Sequence, residues 1–152
     1  MEKVAVTLKE VAAFRLISKR YVDTCGTKQS KLTYAIQKMS KKLDKDYESY
    51  NDQIADVRAK YAVVKDGIFQ LDDKGEYQTD PTKVQEFTKE VRAINTKAVE
   101  VEPFLVDPKD LESLNLELGW YEFFIPFVIA DYPEPKEEVI EDVVKGKAEV
   151  NQ

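Results

Sequence analysis

The chain has 152 residues, a net charge of -6 and 43% apolar residues, enough for one domain whose core needs neither metal nor disulfide. It contains no histidine and one cysteine, Cys25. Histidine-based catalysis and zinc sites, an internal disulfide and the paired-cysteine redox motif are thereby excluded, and the acidic balance argues against broad binding to nucleic acid or anionic membrane.

Thr7 followed by Glu10 reads as a capping box, with Val6 and Val11 placed for a hydrophobic staple. A first helix starts there. Leu8, Val11, Ala12, Arg15, Ile17 and Tyr21 follow a helical period, and Cys25-Gly26 closes the segment with a left-handed cap.

From Leu32 to Val64 the apolar residues recur in steps of four and three, without Gly or Pro: Leu32, Ile36, Met39, Leu43, Tyr47, Tyr50, Ile54, Val57, Tyr61 and Val64. This spacing predicts one helix from Ser30 to Val64, roughly 50 Å long at about 1.5 Å per residue, acting as a spine for contacts. Two successive steps of four around Leu43 and Tyr47 mark a stutter, which argues against a strict coiled coil.

After Lys65-Asp66-Gly67, the segments Ile68–Leu71 and Glu76–Gln78 flank Asp72-Asp73-Lys74-Gly75 and predict a β-hairpin. Asp80-Pro81 opens a further helix through Val84, Phe87, Val91 and Ile94, expected to lie against the spine. A strand over Ala98–Val106, confined to an edge by Pro103, is expected beside the hairpin. Asp107-Pro108 repeats the cap-and-proline start, and Pro126 bends or ends the aromatic element that follows. The fold class expected is α+β, mainly α: a long amphipathic helix, two or three shorter helices and a small antiparallel sheet. Residues 1–131 form one domain, and 132–152 an acidic tail that reads as flexible.

No motif carries chemistry. Glycine-rich phosphate loops are missing, and a calcium loop placed on Gly75 puts Gln70 and Lys74 where oxygen-rich ligands belong. No catalytic, cofactor-binding or metal residues are assigned, and no cofactor is expected. The Phe123–Ala130 run is too short to span a bilayer, and Met1–Glu10 lacks the features of a signal peptide.

Two clusters remain. A basic patch of Lys31, Lys38, Lys41, Lys42 and Lys45, with Lys28 nearby, lies toward the helix end that prefers acids. Solvation, docking of the acidic tail or of a partner's acidic surface, and contact with phosphates are the three readings open to it. The segment from Trp120 to Ile129 supplies the expected interface: Trp120, Tyr121, Phe123, Phe124 and Phe127. The competing reading places these rings in the core.

The stretch Lys31-Leu32-Thr33-Tyr34-Ala35-Ile36-Gln37-Lys38, then Lys60-Tyr61-Ala62, Lys65-Asp66-Gly67, Tyr77 and Val99-Glu100-Val101, resembles a family of small uncharacterised proteins from tailed bacteriophages, over about residues 30–130. Helix one and the acidic tail lie outside the resemblance, which implies no catalytic residues. It implies action in the virion or in the cytoplasm of an infected bacterium. The function expected is a non-enzymatic phage structural or assembly protein contacting other phage or host subunits, with homo-oligomers among the assemblies. The alternative is an early phage protein that binds and inhibits a host factor.

Overall fold

The computed structural model describes residues 2–25 and 30–133. The C-terminal tail beyond Pro133, Gly26 of the first helix cap and Lys28 of the basic cluster lie outside the described residues.

Strand β1 (Val4–Thr7) runs into α1 (Leu8–Cys25), followed by α2 (Lys31–Lys42), α3 (Asp44–Lys60), and the short strands β2 (Val64–Lys65) and β3 (Ile68–Phe69). A single 3-10 turn (Pro81–Lys83) leads into α4 (Val84–Asn95), then β4 (Ala98–Val101), α5 (Pro108–Glu112) and α6 (Leu118–Phe124). The architecture is α+β and mainly helical.

The capping box at the start of α1 is formed: Thr7 Oγ1 accepts from the Glu10 N–H at 3.2 Å, and Glu10 Oε1 accepts from the Thr7 N–H at 3.1 Å. Leu8, Val11, Phe14, Ser18 and Tyr21 form the buried stripe of this helix, at helical steps of three and four. Phe14 and Ser18 are additions to the expected set. Helices α2, α3, α4 and α6 all pack on α1, so the first helix, rather than the Ser30–Val64 segment, is the central element.

The single long helix is corrected to two. Leu43 stands between α2 and α3 with φ -96 and ψ 0, outside helical geometry. Its N–H still donates to Met39 O at 3.0 Å and its carbonyl accepts from the Tyr47 N–H at 2.9 Å, so the turn costs little hydrogen bonding. The charges on either side favour a helix end and a new start. Lys41 and Lys42 occupy the last turn of α2, while Asp44 and Asp46 occupy the first turn of α3. Leu43 itself is buried in the core. Both pieces pack on α1: Leu32, Ala35, Ile36 and Met39 of α2 join the main core, and α3 turns Ile54 and Val57 inward.

Helix α3 stops at Lys60 because the chain beyond it is captured by sheet pairing. The Val63 N–H donates to Gln78 O at 2.7 Å and the Asp80 N–H to Tyr61 O at 2.8 Å. Strands β2 and β3 pair antiparallel across Asp66-Gly67, whose φ values of 53 and 77 fit a two-residue hairpin loop that only glycine and small polar residues adopt readily. The expected turn at Asp72–Gly75 also forms: Leu71 bridges Tyr77, and Asp72 Oδ1 accepts from the Lys74 and Glu76 N–H groups.

Strand β4 pairs with β1 and not with the hairpin, a second correction. The register Val4 with Val101 and Val6 with Val99 turns four valines toward the core and leaves Ala5 and Glu100 exposed. Four residues of alternation are too few to announce β1 without its distant partner. Beyond Pro103 the chain leaves the ladder, and Phe104 and Val106 donate instead to the carbonyls of Phe127 and Val128, at 2.9 and 2.8 Å.

Candidate functional site

The aromatic segment expected at an interface builds the core. Tyr121, Phe124 and Phe127 are buried, while Trp120 and Phe123 are half-buried. Phe14 of α1 stacks on Phe127 with centroids 4.5 Å apart and meets Phe124 edge-on at 6.1 Å. Tyr21 meets Trp120 and Phe124 edge-on at 5.3 and 5.4 Å. Such pairings hold α6 and the chain after it against α1, which removes Tyr121, Phe124 and Phe127 from any docking surface. Burial also raises the pKa of the Tyr21 hydroxyl, with a smaller contribution from Cys25.

The basic patch is brought together. Lys31, Lys38, Lys41, Lys42 and Lys45 are all exposed, at the helical spacing that gives α2 and the start of α3 one charged face. Lys31 reaches Asp110 of α5 at 3.5 Å, supplying the acid that the first turn of α2 lacks. Lys38 lies over the Tyr34 ring at 5.5 Å and Lys42 over Phe104 at 6.0 Å, and these two rings meet edge-on at 5.9 Å.

This face borders a groove of about 810 Å³ between α1 and α2. Arg15, Lys19, Lys38 and Lys41 line it, with Asp23 the one acid among the described lining residues. Arg15 holds Asp44 at 2.7 Å and lies over the Tyr47 ring at 5.3 Å. The Ser18 hydroxyl and Arg15 Nε are buried with no hydrogen-bond partner among the described residues. A buried donor left unpaired is costly unless a ligand or water satisfies it. The sequence marks Arg15 only as a periodic position of the first helix and does not mark Ser18, because nothing local reveals that a serine within a helix lacks a partner.

A third surface was not anticipated. Val64 lies opposite Phe69, and Leu71 lies opposite Tyr77. Strand alternation places Phe69 and Leu71 on the same side, so these four residues share one face of the hairpin lobe. Val64 is 51%, Phe69 43%, Leu71 54% and Tyr77 41% exposed, and the Phe69 and Tyr77 rings stack at 4.9 Å. None of the four belongs to the core cluster. The readable signal was Asp66-Gly67 between Val64-Lys65 and Ile68-Phe69, a stronger hairpin mark than the longer turn after it.

Below the lobe, α3 and α4 are joined by Tyr61 against Phe87 at 6.1 Å, by the Tyr50 hydroxyl donating to Asn95 at 2.9 Å, and by Lys60 paired to Glu90 at 2.9 Å. The Tyr61 hydroxyl and the Lys60 ammonium hold the Glu90 carboxyl below the usual carboxylate range, and Glu90 in turn raises Lys60 and Tyr61. These groups are an exposed structural tie.

Among the described residues no three acidic or cysteine side chains converge as a metal site, and no helix is long and apolar enough to cross a membrane. Comparison with protein-family models, curated proteins and solved structures returns no match.

Proposed function

We propose that this chain is a non-enzymatic phage structural or assembly protein that makes protein–protein contacts, in the virion or in the cytoplasm of the infected host. The exposed apolar face of Val64, Phe69, Leu71 and Tyr77 supports this reading most directly. Contiguous apolar surface of this kind on a projecting element marks a contact site, since leaving it in water is unfavourable. Its occupant is another protein subunit. The phage setting rests on the resemblance carried by residues 30–130. The long apolar stripe does not support the reading, because its residues Leu32, Ile36, Met39, Leu43, Ile54 and Val57 are buried within the domain.

The test is a Phe69→Ser/Leu71→Ser double variant, made outside the core cluster so that its helical circular dichroism is retained. Light scattering and proteomics of purified particles should find the wild type in oligomers or particles and the variant released. A wild type that is monomeric at all concentrations and missing from purified particles refutes the reading. Apolar docking should also persist as salt rises above about 0.2 M, where a charge-driven complex with a host factor weakens.

A further inference from the structure

Two exposed surfaces of this chain are opposite in charge, alike in having an apolar centre, and set apart from one another. The first is the hairpin lobe, where the face of Val64, Phe69, Leu71 and Tyr77 is flanked by turns carrying Asp66, Asp73 and Glu76, all exposed. Asp72 also lies there, engaged by the N–H groups of its own turn, and Lys65 and Lys74 are the bases of this stretch. The second is the groove between α1 and α2. Leu16, 57% exposed, and Tyr34, 53% exposed, give it apolar walls, and Lys19, Lys38 and Lys41 set three cations there against Asp23. Arg15 is spent on Asp44. Lys42 and Lys45 extend the positive charge along α2 and into α3. Among the described residues the ion pairs are Arg15 with Asp44, Lys31 with Asp110 and Lys60 with Glu90, so the groove's lysines and the lobe's acids are all uncommitted.

Helix α3 holds the two surfaces apart. Tyr47, near its start, lines the groove, while the lobe follows Lys60 at its other end, about 20 Å away at about 1.5 Å per residue. No lobe residue is among the described residues lining the groove. The lobe of one chain therefore stands clear of its own groove and is free for that of another. Lobe against lobe would bring acids together, and groove against groove would bring lysines together; lobe against groove alone pairs opposite signs. We infer that the hairpin lobe of one copy docks in the α1/α2 groove of a second copy, with Phe69 and Leu71 on Leu16 and Tyr34 and the lobe's carboxylates toward Lys19, Lys38 and Lys41. This rests on the reading of the lobe as a contact site and names its partner. Apolar burial supplies the affinity and the charges set the orientation. Because the two patches differ, each docked pair keeps one free lobe and one free groove, and the contact repeats head to tail into a ring or a filament.

Complementation between two broken chains tests this, with mass read by light scattering behind a sizing column. The wild-type mass should rise with concentration. Phe69→Ser/Leu71→Ser spoils the lobe and Lys38→Glu/Lys41→Glu spoils the groove, all at exposed positions, and each variant alone should stay at the mass of one chain with its helical circular dichroism kept. Mixed, they retain one intact lobe and one intact groove between them, so the mass should reach that of two chains and stop there. Adding Asp73→Lys/Glu76→Lys to the groove variant restores opposite signs and should return wild-type assembly, which a misfolded groove could not do. A mixture that stays at the mass of one chain overturns the inference. So does a groove variant that assembles as the wild type does, which seats the lobe elsewhere and leaves its reading as a contact site standing. A wild type that is monomeric at every concentration also overturns it; found in purified particles all the same, such a chain keeps the proposed function, with a different subunit on the lobe.

Discussion

Replacing Phe14 with alanine probes the junction on which the fold turns. The ring is fully buried and contacts Phe127 at 4.5 Å and Phe124 at 6.1 Å, so its removal leaves a cavity between three elements that cannot collapse without moving α6. Core Phe→Ala changes cost about 3–5 kcal/mol, and the loss of two ring contacts places this one at about 4–5. Against a domain stability of about 5–15 kcal/mol that is a large share. With a urea slope of about 2 kcal/mol/M, the unfolding midpoint should fall by about 2 M. Far-UV circular dichroism and the fluorescence of Trp120, stacked on Phe124 at 6.1 Å, report the same transition from two sides. In a cycle with Phe127→Ala, the two changes should couple by about 1 kcal/mol. A midpoint drop worth under about 1 kcal/mol would refute the reasoning, since it is the size of an ordinary surface effect and would mean that α1 does not anchor the aromatic segment.

Stability should also respond to pH through the α3–α4 tie. The pKa of Glu90 is depressed below its ordinary 4.5, so its contribution is complete above that value and is lost as pH falls through the lower folded value. That of Lys60 is raised above 10.5, so its contribution is complete below that value and is lost as pH rises through the higher folded one. Glu90→Gln should flatten both limbs of a plot of melting temperature against pH, and high salt should mimic it because the pair is exposed; unchanged limbs would discard the assignment. Gly67→Ala meets open space but must hold φ +77, so a cost of about 1 kcal/mol should fall on the hairpin alone. Hydrogen exchange should quicken for the amides of Val64–Phe69 while the global melting temperature stays put, and an equal loss throughout would show that the lobe folds as part of the core.

Local signals determined where several elements begin. Thr7 with Glu10, Asp80-Pro81 and Asp107-Pro108 each place the caps that the structure contains, because capping is settled within three or four residues of chain. The turn at Asp72–Gly75 and the lysine face of α2 were legible for the same reason. Tertiary structure alone decided what those elements serve. The stripe from Leu32 to Val64 is periodic enough for one helix, yet the backbone leaves helical geometry at Leu43, and α2 and α3 each pack on α1. Periodicity likewise could not distinguish Trp120–Ile129 as core from interface, because both need large apolar side chains; the rings of Phe14 and Tyr21, about a hundred residues earlier, made the choice. Strand β1 needed β4 to exist, and only tertiary packing buries the Ser18 hydroxyl and Arg15 Nε without a hydrogen-bond partner among the described residues. Hydrogen-bond satisfaction and burial are sums over neighbours distant in sequence, so no local pattern could state them.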